Sequence, residues 1–285
     1  GIRNKLYKFR LQASKVGYAT GYSSANDESL PASERLPTEL LQAIFLLTIS
    51  TPNTVHSDDA CRVSETISKV CKRWRKVSLS LPALWCTLPP MRLRHQACDA
   101  TYISLLKEYL QRSAGLTLAI TVEGNSTEFF RTATSNAPPD TVTHPVISAL
   151  LQHAARWGSV TTKTCAPFLR TLLYHPDHHF TQLRYLNTTI LSGRKDSPPE
   201  FINISNLAPV LQEVEIHGHA NQVVLLLPWT QLQQYKEATS NRGFLRNVLT
   251  HSLHLHTLDV SRSPRHPNPI PGPILLPHLR SLTWT

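Results

Sequence analysis

Glycine is scarce in this chain, ten among 285 residues, and none of it falls in a G-x-G-x-x-G or G-x-x-x-x-G-K run. Loops that cradle phosphate with bare backbone are therefore poorly provided for. There is no G-x-S-x-G elbow either, so nucleophilic catalysis of the hydrolase kind has no anchor. Acid is the scarcer charge: 19 Asp and Glu stand against 29 Lys and Arg, a formal net charge of +10. The five cysteines, Cys61, Cys71, Cys86, Cys98 and Cys165, are odd in number, far apart and without a C-x-x-C pair. That spacing argues against a disulfide framework and against structural zinc. Apolar runs of 18 residues are missing, as is a charged segment leading into an apolar stretch with a cleavage site, so neither a membrane span nor a secretory leader is expected. An intracellular protein without cofactor or catalytic residue is the reading these absences favour.

A hydrophobic content of 41% over 285 residues nevertheless suffices for one sizeable core or two domains. The chain opens on Gly1 and stops at Thr285 inside a recurring pattern, as expected of a piece of a longer protein. Residues 1–33 read as a basic arm and linker: Arg3, Lys5, Lys8, Arg10 and Lys15 precede a polar stretch, with no acid among the first seventeen residues.

LPTELLQAIFLL, residues 36–47, begins a helix, because Pro37 suits a first turn whose N–H would be unpaired anyway. At about 100° per residue, Leu40, Ile44 and Leu47 form one stripe and Leu41, Phe45 and Thr48 another. Both need cover, and a helix this short has little of its own to offer. A loop is expected over Ser50–Ala60, then a single second helix over Val63–Leu81 with Val63, Ile67, Val70, Trp74 and Val77 on one face. Leu81-Pro82 should halt it, and Leu84-Trp85 adds an apolar pair before Pro89-Pro90. Beyond a boundary near residue 88, a helix is expected around Tyr102–Leu110, a strand over 116–122 and a helix over Val146–Trp157.

From residue 165 onward the pattern L-x-x-L-x-[LVIW] recurs. Its first leucines, Leu169, Leu183, Leu211, Leu232, Leu255 and Leu279, are separated by 14, 28, 21, 23 and 24 residues on subtracting neighbours. All but the first step lie near the 20–29 range of leucine-rich repeats, whose units bury their leucines only by stacking on neighbours.

Three blocks together resemble an F-box: Leu36-Pro37-x-Glu39-Leu40-Leu41-x-x-Ile44-Phe45, then Val70-Cys71-Lys72-Arg73-Trp74-Arg75-Lys76-Val77-Ser78, then Leu81-Pro82-x-Leu84-Trp85. The form with a long inter-helix loop, common in mushroom-forming fungi, is the one it is similar to. Between Ile44 and Val70 lie residues 45–69, several more than the compact form of the motif has. The resemblance implies an α+β protein: a small all-helical module over 34–88 that docks on a Skp-family adaptor of a cullin–RING ubiquitin ligase, followed over 89–285 by an α/β leucine-rich-repeat-like solenoid that receives a substrate. The adaptor contact would fall on Leu36, Pro37, Leu40, Leu41, Ile44 and Phe45, with Val70, Trp74, Leu84 and Trp85 partly core and partly interface. Cys71 is then a small core hydrophobe.

Two sharper chemistries are weaker. The histidine clusters His175-Pro176-Asp177-His178-His179, His217-Gly218-His219 and His251-x-x-His254-x-His256 have no spacing that makes three ligands converge on a metal. Lys72-Arg73-Trp74-Arg75-Lys76 could suit nucleic acid, but helical geometry turns Trp74 to the apolar side and leaves the charges on a solvated face. The alternative from another class is a basic repeat scaffold that binds nucleic acid or an acidic protein outside any ligase, distinguished by a steep salt dependence.

Overall fold

The computed structural model describes residues 36–49, 57–93, 100–124, 145–173, 179–191, 199–219, 223–239, 242–261 and 276–285. By contacts the chain divides into Gly1–Pro37 and Thr38–Thr285. The basic arm and most of the expected 50–60 loop lie outside the described residues.

Apolar spacing and breakers set the helical elements of the second unit. Helix α1 spans Thr38–Ile49, with Glu39 in its first turn where the helix dipole favours an acid. Helix α2 spans Ser57–Ser68 and α3 spans Lys72–Leu79. The single helix expected over Val63–Leu81 is thus two. Lys69 and Val70 form a turn, with their N–H groups donating to Thr66 and Ile67 carbonyls, and Cys71 restarts the helix as its N-cap, its Sγ accepting from the Trp74 N–H at 3.4 Å. Cys71 is half-buried and works as a cap rather than a core hydrophobe. The expected loop is also shorter, because α2 already begins at Ser57. A 3-10 turn over Pro82–Trp85 follows, and its Leu84 and Trp85 are buried.

Downstream lie helices α4 (Ala100–Arg112), α5 (Pro145–Leu151), α6 (Ala166–Leu173) and α7 (Arg242–His251). The strands are β1 (Met91–Leu93), β2 (Leu118–Gly124), β3 (Trp157–Thr164), β4 (Tyr185–Ile190), β5 (Glu200–Asn203), β6 (Glu213–Gly218), β7 (Val223–Leu226), β8 (Gln234–Thr239), β9 (Thr257–Val260) and β10 (Ser281–Trp284). Among the described residues this is a mixed α/β fold of seven α-helices and a parallel eight-stranded sheet. The sheet order is β1-β2-β3-β4-β6-β8-β9-β10, and β5 pairs with β7 in a separate parallel pair. Order in the main sheet follows order in the chain.

Register reveals the rhythm directly. Val160, Leu186, Val214, Tyr235, Leu258 and Leu282 are successive cross-strand partners, and subtracting neighbours gives steps of 26, 28, 21, 23 and 24. All but the terminal Leu282 are buried. A second inward row runs Val122, Thr162, Thr188, Ile216, Glu237, Val260. Its polar members are buried too: Thr162 Oγ1 donates to Thr188 Oγ1 at 2.9 Å, and Glu237 accepts from the Tyr235 hydroxyl at 3.1 Å.

Leu183, Leu211, Leu232, Leu255 and Leu279 each stand two residues before a strand, β4, β6, β8, β9 and β10. Four of these leucines are buried outright. At Leu183, Leu211, Leu232 and Leu279 the N–H donates to the carbonyl three residues earlier, a turn that aims each strand. The carbonyls of Arg184, Gln212, Gln233 and His256, one residue after Leu183, Leu211, Leu232 and Leu255, each accept two N–H groups at the start of the next strand of the main sheet.

The segment 167–172 departs from this scheme. Leu169 sits in helix α6, beside buried Phe168, Leu172 and Leu173. Trp157 likewise opens β3 instead of closing a helix from Val146. Its ring still covers that helix: Nε1 donates to the Leu150 carbonyl at 3.2 Å and the ring stacks on Phe180 at 5.1 Å.

The helices at the start of this unit are stitched to the sheet. Thr87 bridges Ala119 in parallel, and the Leu88 N–H donates to the Ala119 carbonyl at 2.9 Å. Trp85 packs edge-on against Tyr109 of α4 at 5.1 Å, with the Arg112 guanidinium 4.5 Å over its ring.

Candidate partner-binding surfaces

Helix α1 separates its two stripes cleanly. Leu41 and Phe45 are buried, and Phe45 meets Trp74 of α3 with ring centroids 5.0 Å apart. Ile67 of α2, Val77 of α3, Leu84 and Trp85 complete this small core. Trp85 Nε1 donates to the Ser78 carbonyl at 2.9 Å, and the Ser64 hydroxyl donates to the Leu84 carbonyl, which ties α2 and α3 to the 3-10 turn. The other stripe is open: Leu40 is 52%, Ile44 42% and Leu47 70% exposed, and Val70, in the turn between α2 and α3, is 52% exposed.

The contact set expected from the sequence therefore divides. Leu40, Ile44 and Val70 are accessible. Leu41, Phe45, Leu84 and Trp85 are buried, Phe45 against Trp74 and Trp85 against Tyr109 of α4. Trp74 is half-buried, and its Nε1 is enclosed. Leu36 is half-buried and Pro37 exposed, at the end of the first unit. Leu47 belongs with the accessible group, and its step of three from Ile44 was the signal for it.

A second surface is the face of the main sheet opposite its apolar rows. Side chains alternate along each strand, so Tyr185, Asn187 and Thr189 of β4 share this face with Glu213, Glu215 and His217 of β6, Gln234, Lys236 and Ala238 of β8, and Asp259 of β9. These side chains are half-buried or exposed. Asn187 Nδ2 donates to Glu215 Oε2 at 2.9 Å and to the Tyr185 hydroxyl at 3.1 Å, and Lys236 Nζ donates to Glu215 Oε1 at 2.7 Å. The bond to Glu215 holds the Lys236 ammonium above its ordinary pKa, with partial burial working against it. Burial raises the Tyr185 phenol. The result is a fixed polar surface.

An open cleft of about 400 Å³ lies at the starts of β2, β3 and β4, bordered by Cys86, Thr117, Ser159, Gln182 and Arg184. Burial pushes the thiols of Cys86 and Cys165 up, so neither is a ready thiolate. No group of three or more His, Cys, Asp or Glu that could hold a metal occurs among the described residues. The cluster at His175–His178 lies outside them, while His254 stacks on His278 at 5.8 Å and His256 meets His278 edge-on at 6.4 Å. No described helix is long and apolar enough to cross a membrane.

No family model, no curated protein and no solved structure matches the chain.

Proposed function

We propose that the chain is a non-catalytic substrate receptor: an F-box-like helical module docks on a Skp-family adaptor, and the repeat-like sheet that follows presents a target protein to a cullin–RING ubiquitin ligase. One observation carries the reading. Helix α1 closes its own core with Leu41 and Phe45 and leaves Leu40, Ile44 and Leu47 in water, as Val70 is between α2 and α3. An apolar stripe on so small a helical module suits a protein partner. The F-box resemblance names the partner.

The downstream sheet supports the second half of the proposal. Parallel strands that follow one another in chain order, five of them two residues after a leucine that is buried in four cases, are what a stack of leucine-rich units would produce. The Asn187, Glu215 and Lys236 surface is then the receptor face. Ubiquitin transfer would occur on other subunits, and the contribution of this chain is positional: tethering raises the effective concentration of the target's lysines.

Magnitudes limit what the stripe does alone. Complete burial of an aliphatic side chain is worth about 1.5–3 kcal/mol, so four that are roughly half exposed contribute about 3–6 kcal/mol gross. Association costs at least about 4 kcal/mol. The stripe selects a docking face, and other contacts must supply net affinity.

The test is affinity purification with mass spectrometry on wild type beside a Leu40→Asp/Ile44→Asp variant and the Leu36→Ala/Pro37→Ala variant. Adaptor and cullin should be recovered with wild type and lost with the Asp variant. Equal recovery from wild type and the Asp variant, or no ligase subunit with wild type, would refute the proposal.

A further inference from the structure

Helix α3 is built against its own electrostatics. Its first turn carries Lys72 and Arg73 and no acid, at the end where the helix dipole is positive, and of its bases only Lys76 stands in the last turn, where the dipole favours a cation. Lys72 and Arg75 stand at i,i+3, and Lys72 and Lys76 at i,i+4, so like charges are neighbours on one face. Lys72, Arg75 and Lys76 are all exposed. Among the described residues none of the three has an ion-pair partner, whereas Lys69 just before them is bridged to Glu65 at 3.3 Å. Eight residues N-capped by a sulfur therefore hold three cations with no carboxylate beside them among the described residues. A merely solvated face would not need this arrangement, since acids interspersed among the bases keep a helix equally soluble and stabilise it.

We infer that the α3 cations meet an acidic surface on the same protein partner that covers the apolar groups of α1 and Val70. The inference rests on the adaptor reading and deepens it by stating the chemistry of the partner's face: carboxylates flanking an apolar groove. Two observations favour protein over nucleic acid. Val70, two residues before Lys72, is an exposed aliphatic group, which phosphate would not cover. Trp74, the aromatic needed for base stacking, turns inward onto Phe45. Opposed charges around an apolar contact accelerate encounter and fix orientation, and they supply the contacts that four half-exposed side chains lack.

The obvious variant separates binding from folding by sign. Lys72→Glu puts an acid at the helix start and an opposite charge four residues before Lys76, so it should raise the thermal midpoint. In titrations of the full chain with a purified Skp-family adaptor at low salt, the same variant should associate about tenfold more slowly than wild type or worse. Arg75→Gln/Lys76→Gln should weaken binding in the same direction, and salt should weaken wild type more than either variant. Adaptor binding by Lys72→Glu with wild-type rate and salt response would overturn the inference and leave the adaptor reading standing. Failure of wild type to bind the adaptor at all would overturn both. A twenty-nucleotide single-stranded DNA probe that binds wild type, loses affinity with Lys72→Glu and is not displaced by the adaptor would also overturn it.

Discussion

Phe45 of α1 and Trp74 of α3 meet with ring centroids 5.0 Å apart and planes tilted by 58°, and this contact laces the first helix to the third. Its neighbour Ile44 points to water. Phe45→Ala should therefore cost about 3–5 kcal/mol, the usual price of an aromatic removed from a packed core. Ile44→Ala, one position earlier, should shift stability by well under 1 kcal/mol because it opens no cavity. Urea denaturation of the two variants checks this. Equal losses would mean that Ile44 is covered in solution.

Cys71 caps α3 with a sulfur, a weak acceptor held 3.4 Å from the Trp74 N–H. A serine oxygen is a stronger acceptor at the same position and is among the favoured N-caps. Cys71→Ser should stabilise the fold by about 0.5–1 kcal/mol, and Cys71→Ala should destabilise it by a similar amount. Both are read as changes in denaturation midpoint at constant slope. Had the residue been a core hydrophobe, as its place in the sequence suggested, the serine variant would lose stability.

Thr162 and Thr188 are buried on adjacent strands with their hydroxyls 2.9 Å apart. Each satisfies the other in a row otherwise made mostly of apolar side chains. Replacing one by valine strands a buried hydroxyl and should cost about 1–3 kcal/mol, whereas replacing both removes the need for the bond and should be nearly neutral. A double-mutant cycle measures the difference. Additive losses would place water between the two groups.

How far these features were legible in the sequence follows from two kinds of residue. Leu183, Leu211, Leu232, Leu255 and Leu279 were visible because their spacing recurs and each precedes a strand by the same two residues. Leu169 was misread because L-x-x-L also suits a helix, where residues three apart share a face, and in α6 Phe168 and Leu172 make that face. Strand β3 was hidden for a related reason. Its inward positions after Val160 are Thr162 and Thr164, so no apolar alternation shows, and Trp157 continues the helical spacing of Val146 and Leu150. Helix α1's two stripes were readable from angle alone; which of them closes the core depended on Trp74, Leu84 and Trp85 arriving from later in the chain. The polar sheet face needed only the phase of the leucines, since the second, fourth and sixth residues after each point to it.

His153, between α5 and the 3-10 turn before β3, carries a pH dependence. Burial lowers its pKa, and the Arg156 charge lowers it further. The sign follows: as pH falls past the ordinary histidine value of about 6.5, the unfolded chain takes up this proton before the folded one does. The contribution of His153 to stability is therefore full above that pH and shrinks as the pH falls toward the lower, folded value. His153→Gln should match wild type above neutrality and show a shallower decline in melting temperature between pH 7 and 5. A variant that declines as steeply as wild type would assign the acid sensitivity to other groups.

The sheet face and helix α1 should fail independently. Thr189 and Ala238 flank His217 across the strands of the polar face; His217 Nε2 lies 3.9 Å from Glu215 Oε2 and is left in place. Arginine at Thr189 and Ala238 adds bulk and charge there without opening a cavity, so the free energy of unfolding should stay within about 0.5 kcal/mol of wild type. Such a Thr189→Arg/Ala238→Arg chain should still recover the adaptor in affinity purification and lose its remaining specific partners. Leu226→Arg, on the separate β5–β7 pair, is the matched control and should lose neither. If the double variant keeps every partner while Leu226→Arg loses some, target recognition belongs to the two-stranded sheet, and the fixed polar network around Glu215 serves only to hold its strands in register.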